Sequence, residues 1–106
     1  MELKLLEKQF TGIGEVKGFN FTQLYSSEFA YIYKVEGDSI NYEVFERKNS
    51  PICIDFKKHI YSETEFKEVY PKSNSFGVSA WTFKYYHDAL EKADKIEERL
   101  LNKLIN

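Results

Sequence analysis

The side chains able to do chemistry are few and scattered. His59 and His87 are the only histidines, and Asp55 and Asp88 lie near them in sequence. Imidazole and carboxylate together can bind a metal or pass a proton, but a metal site needs three or four ligands at fixed spacing. Asp55 and His59 are four apart, a helical spacing set in strand-like sequence. The pattern predicts two partly solvated histidines and no metal site. Paired carboxylates, Glu63 with Glu65 and Glu97 with Glu98, fall in charge-balanced stretches. A general acid needs burial that raises its pKa; these stretches predict solvated faces.

Two glycine-containing runs come close to known chemical loops. In Gly12-Ile13-Gly14-Glu15-Val16-Lys17-Gly18 the third glycine is one place late for a dinucleotide loop. Strand-like sequence also follows it, where that loop needs a helix. In Gly77-Val78-Ser79-Ala80-Trp81, Trp81 stands where a nucleophile elbow closes with glycine. The elbow further requires a strand-turn-helix in a parallel sheet. Neither run predicts an active site. No cofactor is expected, and the sequence reads as a non-enzyme.

Binding chemistry is better represented. Tyr25, Tyr31, Tyr33, Tyr42, Tyr85 and Tyr86 would supply a stacking platform if they shared a surface. Lys57-Lys58-His59 and Arg47-Lys48 are the local basic groups. The candidate partner-binding residues are therefore Tyr25, Tyr85, Tyr86, Arg47, Lys57 and Lys58.

The elements that must position these residues follow from periodicity. Phe29, Tyr31, Tyr33 and Val35 alternate with Ala30, Ile32 and Lys34, and Ile40, Tyr42 and Val44 alternate with Asn41, Glu43 and Phe45. Period two marks strands. A two-residue turn at Gly37-Asp38 would pair Val35 with Ile40, Tyr33 with Tyr42 and Tyr31 with Val44, leaving the apolar partners on one face. A three-residue turn would pair Val35 with Asn41, so the two-residue hairpin is expected. Lys17 to Tyr25 also alternates, with Phe19, Phe21 and Tyr25 on one side. Glu2 to Thr11 suits a strand through Leu3 and Leu5 or a helix through Leu3, Leu6 and Phe10, and the break at Gly12-Ile13-Gly14 favours the strand. Ile52, Ile54 and Phe56 predict a short strand starting after Pro51, and Ser79 to Phe83 another.

Residues 62–70 admit two readings. Ser62-Glu63-Thr64-Glu65 has the form of a helix capping box, yet Phe66, Glu68 and Tyr70 would equally make one face of a strand. The chain end is unambiguous. Ala89, Ala93, Ile96, Leu100 and Leu104 recur at helical spacing from Tyr86 onward, which predicts an amphipathic helix over about 86–105.

The chain has 106 residues, with 42% hydrophobic and 30% charged. One globular domain, 1–106, is expected, strand-rich over 1–84. The fold class is α+β. An antiparallel meander of about four to five strands should carry the C-terminal helix across one face. Phe19, Phe21, Tyr31, Tyr33, Tyr42, Val44, Trp81, Ala89, Ala93, Ile96 and Leu100 should form the core.

Basic residues number 15 and acidic 17, a net charge of -2. No basic excess calls for phosphate binding, so nucleic acid is not the favoured partner. Cys53 is the only cysteine, which fits a reducing, cytoplasmic compartment. No signal peptide and no membrane-spanning helix are expected from the sequence. Aromatic residues make up 17% of the chain, a bias that suits sheet cores and protein-binding surfaces alike.

Several runs together carry a resemblance. Gly14-Glu15-Val16-Lys17-Gly18-Phe19-Asn20-Phe21, Ala30-Tyr31-Ile32-Tyr33, Tyr42-Glu43-Val44-Phe45, the segment from Tyr70-Pro71 through Phe76-Gly77 to Ala80-Trp81, and Asp88-Ala89-Leu90 resemble small phage, prophage and plasmid proteins of AT-rich bacteria. The excess of Lys over Arg and the abundance of Ile, Asn, Tyr and Phe are what AT-rich codons supply. That group has no established activity to carry over. The resemblance implies a mobile-element source. The expected function is a non-enzymatic protein-binding module, for example an inhibitor of a host defence protein. A nucleic-acid accessory protein is the alternative, and edge strands would also allow a homodimer.

Overall fold

The computed structural model describes residues 2–105. In chain order these form β1 (Glu2–Lys4), β2 (Gln9–Thr11), β3 (Asn20–Ser26), β4 (Ala30–Glu36), β5 (Ile40–Glu46), β6 (Asn49–Asp55), β7 (Ile60–Glu68), β8 (Ala80–Phe83) and α1 (Tyr86–Ile105). The chain is an α+β protein, with mostly antiparallel sheet and a C-terminal helix packed on it. It divides into two compact units, residues 2–6 with 47–70 and residues 7–46 with 71–105. No helix among the described residues is long and apolar enough to cross a membrane.

The larger unit is a five-stranded antiparallel sheet in the order β2-β3-β4-β5-β8. Its first four strands make the expected meander. The stripe on α1 covers one face: Ala89, Ala93 and Ile96 pack on Ala30, Ile32 and Val44. Tyr25, Tyr42, Trp81, Phe83, Tyr86, Leu90 and Leu100 close around this core. Burying a side chain such as Ile96 contributes about 1.5–3 kcal/mol. Arg99 pairs with Glu46 and ties the helix to β5.

The β4–β5 hairpin departs from the expected register. Glu36 lies opposite Ile40, Val35 opposite Asn41, Ile32 opposite Val44 and Tyr31 opposite Phe45. Gly37, Asp38 and Ser39 form the turn, one residue longer than the expected Gly37-Asp38. The reason is that both faces of β4 are apolar. Ala30 and Ile32 face the helix, while Phe21, Tyr31, Tyr33, Val35 and Phe45 are buried on the other side. The observed register joins Tyr31 and Tyr33 to Phe45 rather than to Tyr42 and Val44. Gly37 serves close packing: a Cβ there would lie 2.7 Å from the Phe19 ring.

The second face is a tyrosine-phenylalanine cluster. Phe10 stacks on Phe21 at 4.6 Å, and Tyr33 stacks on Phe45 at 5.8 Å. Offset ring pairs of this kind contribute about 0.5–1.5 kcal/mol beyond burial. The buried Tyr33 hydroxyl donates to the Glu7 carbonyl at 2.7 Å and accepts from Gln23 Nε2 at 2.9 Å.

A bulge in β3 explains a further difference. Gln23 pairs with Tyr33 and Tyr25 with Ile32, so Leu24 is an extra residue. It reverses the alternation, which sends Tyr25 to the helix side although Phe21 faces the aromatic cluster. The sequence alternation had placed Phe21 and Tyr25 together.

The smaller unit is a sheet in the order β1-β7-β6, with β1 parallel and β6 antiparallel to β7. β6 begins at Asn49, before the expected start after Pro51. Its position at the sheet edge tolerates a proline without an N–H. Most of residues 62–70 belong to a strand, β7. The capping pattern is nevertheless used: Ser62 Oγ accepts from the Thr64 and Glu65 N–H groups at 3.1 and 2.8 Å. These bonds close a bulge in which residues 62–65 sit between the pairs Cys53–Tyr61 and Pro51–Phe66. Glu68 is buried, and its carboxylate accepts from Arg47 Nε at 2.8 Å and from the Leu6 N–H at 3.1 Å. Such partners offset the cost of removing a carboxylate from water.

Candidate functional site

The residues singled out from sequence fall in different places. Tyr25, Tyr85 and Tyr86 belong to the larger unit, and Arg47, Lys57 and Lys58 to the smaller. Tyr25 packs beside α1, where its hydroxyl donates to Glu97 Oε1 at 2.6 Å. That hydrogen bond to Glu97, with burial and the Glu97 charge behind it, pushes the Tyr25 pKa up to about 12. Tyr86 packs on Tyr42 at 5.7 Å against the helix–sheet core. Tyr85 is 58% exposed, with Lys84 Nζ 5.9 Å above its ring and the His87 ring at 6.3 Å. Trp81 is half-buried, and Lys92 Nζ lies 3.9 Å from its ring centroid.

Arg47 is held by Glu68. Lys57 and Lys58, by contrast, are exposed in the turn between β6 and β7. That turn has a defined build. The His59 N–H donates to the Phe56 carbonyl at 3.3 Å, and the Lys58 N–H donates to Asp55 Oδ1 at 3.2 Å. His59 adopts φ +54°, a left-handed conformation, immediately before β7 begins at Ile60. Lys57 and Lys58 therefore occupy the two central positions, at the apex.

Around the apex lie four large apolar side chains that solvent reaches: Ile54 at 66% exposure, Phe56 at 79%, Ile60 at 46% and Tyr61 at 51%. The Phe56 ring centroid is 6.2 Å from that of His59. Exposed apolar residues are ordinary when scattered; a concentration in one hairpin end is not. This concentration escaped the sequence reading. Ile54 and Phe56 looked like the continuation of the Ile52 strand face. The register instead passes from Cys53–Tyr61 to Asp55–Ile60 and leaves Ile54 unpaired. The signal available was the dense apolar sequence on either side of Lys57-Lys58.

The near-miss motifs take other roles. Gly14–Val16 is a short 3₁₀ turn in the β2–β3 connection, and Asn20 then begins a strand. Ser79 is buried and leads directly into β8. His87 pairs with Asp88 at 3.1 Å on the first turn of α1, far along the chain from His59. Among the described residues, no group of three or more His, Cys, Asp or Glu side chains is placed to hold a metal ion. An open groove of about 510 Å³ on the smaller sheet is lined by Glu2, Leu3, Lys4, Ile52, Glu65 and Phe66.

The hairpin end from Ile54 to Tyr61 thus combines exposed apolar area, local positive charge and a fixed turn. Compared with known families, curated proteins and solved structures, the chain matches no family model, no curated protein and no solved structure.

Proposed function

We propose that this chain is a non-enzymatic binding protein of a phage or other mobile element. In this reading it acts by occupying a host protein, such as a component of a host defence system. Inhibition by occlusion requires a contact surface and no catalytic group. The observation that carries the reading is the exposed hairpin end, where Phe56 is 79% and Ile54 66% exposed beside Lys57 and Lys58. A few well-packed anchor residues, aromatic ones prominent among them, supply most of the binding energy in protein interfaces. The sequence resemblance supports the source.

A second reading draws on the same hairpin. Lys57 and Lys58 beside Phe56, His59 and Tyr61 would also suit a nucleic acid, with phosphates on the lysines and bases on the rings. The two readings separate by the species bound, which nuclease treatment distinguishes, and by how steeply binding falls with salt. Nucleic-acid affinity falls with a slope of about -0.9 in log–log form for each duplex phosphate contacted.

The test is affinity capture from bacterial lysate with and without nuclease, followed by mass spectrometry. The proposed function expects a stoichiometric protein that nuclease leaves in place. Loss of every bound species on nuclease treatment would favour the second reading.

A further inference from the structure

We propose that the β6–β7 hairpin end enters a cleft of its protein partner tip first, and that the floor of that cleft carries carboxylates. This inference rests on the protein-binding reading above and specifies the chemistry of the partner's site.

The shape of the hairpin end argues for a cleft. Ile60 and Tyr61 are consecutive residues of β7, so they point to opposite faces. Both are about half-exposed, and Ile54 and Phe56 add exposed area on the other arm and at the turn. A flat partner would cover one face and leave the other in water. A cleft covers both.

The charge argues for the floor. Lys57 and Lys58 are the central turn residues, so they lead the insertion. The nearest acidic residue in sequence, Asp55, already accepts from the Lys58 backbone N–H. Two ammonium groups entering a cleft require opposite charge there, since an unpaired charge taken out of water is costly. The chain as a whole carries a net charge of -2, so its overall charge does not draw it to an acidic partner, whereas the two apex lysines do so locally.

The same arrangement disfavours other occupants. In an anionic bilayer the apolar side chains should go deepest, but here the lysines are ahead of them. Nucleic acid would use the rings and lysines but would leave the aliphatic Ile54 and Ile60 without stacking partners. The turn is also prepared for docking. Its two hydrogen bonds and the left-handed His59 fix the apex before contact, which lowers the ordering cost of binding.

Photo-crosslinking tests the inference. p-Benzoylphenylalanine is placed at position 56, and separately at position 85 in the larger unit. Each protein is irradiated in bacterial lysate, with and without nuclease, and the crosslinked peptides are sequenced. The expected result is a nuclease-resistant protein adduct from position 56 whose peptide lies beside clustered Asp or Glu residues. Lys57→Glu/Lys58→Glu should lower its yield by about tenfold or more, with melting unchanged because both lysines are exposed. Lysine substitutions at the partner's acidic residues should then restore the adduct.

Undiminished crosslinking by the charge-reversed protein would overturn the inference. So would phospholipid adducts, or adducts that nuclease abolishes. A protein adduct from position 85 with none from position 56 would overturn the hairpin inference and leave the protein-binding reading standing. No protein adduct from either position would overturn both.

Discussion

The hydroxyl of Tyr25 donates to the Glu97 carboxylate at 2.6 Å, linking β3 to the middle of α1 across the edge of the core. The link exists because the Leu24 bulge reverses the side-chain alternation of β3. Tyr25→Phe keeps the ring and deletes the bond. It should lower stability by about 1.5 kcal/mol, the low end for a hydrogen bond to a charged group, because the pair is partly exposed. Chemical denaturation with an unchanged m-value would confirm that only the bond was lost.

The same pair sets a pH dependence. The folded-state pKa of Tyr25 is raised from 10.0 to about 12. The unfolded chain therefore releases this proton at lower pH than the folded one. The stabilisation is complete below pH 10 and is lost as pH climbs from 10 toward 12. Tyr25→Phe should flatten that alkaline decline in thermal melts, and an identical decline in both proteins would contradict the assignment.

Ile96 is 2% exposed at the centre of the helix–sheet contact. Ile96→Ala should cost about 2–5 kcal/mol through lost burial and a residual cavity. Ile96→Asp should cost more, because it buries a charge without a partner. An unchanged melting temperature in Ile96→Asp would remove the helix from the core.

How much of this was legible in sequence depends on whether an element has one apolar face or two. The α1 stripe through Ala89, Ala93 and Ile96 stands against a charged opposite face, so its length and buried side are readable. β4 has apolar residues on both faces, Ile32 on one and Tyr33 on the other. Alternation then gives strand but not register, and the turn came out one residue longer than expected. At Leu24, between Gln23 and Tyr25, no glycine or proline marks the bulge. Ser62 makes its capping bonds as the Ser-x-x-Glu pattern implies, but within a strand, because local hydrogen bonding does not specify the tertiary partner. Of the candidate binding residues, Lys57 and Lys58 were visible as a basic pair. The dense apolar sequence on either side of that pair marks Ile54, Phe56, Ile60 and Tyr61, but their exposure depends on the β6–β7 register and on what covers the sheet, which alternation alone does not give.

The longer turn makes its own prediction. A Cβ at Gly37 would lie 2.7 Å from the Phe19 ring. Gly37→Ala should therefore cost about 1–3 kcal/mol by overpacking. The penalty should shrink when Phe19 is also replaced by Ala, which a double-mutant cycle measures directly. A penalty independent of Phe19 would place its origin in the turn backbone instead.

Arg47 was a candidate for partner contact, and its pairing with the buried Glu68 gives it a measurable structural role. Arg47→Met should cost about 3–5 kcal/mol, since it takes the guanidinium away from a buried carboxylate. Glu68→Gln in the same background should recover part of the loss. Equal stability of Arg47→Met and the parent protein would mean that the pair contributes nothing.

The most direct test of the account is affinity capture with the parent protein and Phe56→Ala side by side, in nuclease-treated lysate. Phe56 is 79% exposed, so the variant should melt with the parent. The parent should retain a stoichiometric protein, and Phe56→Ala should lose it. Equal retention by both proteins, or no retained protein in either, would contradict the account.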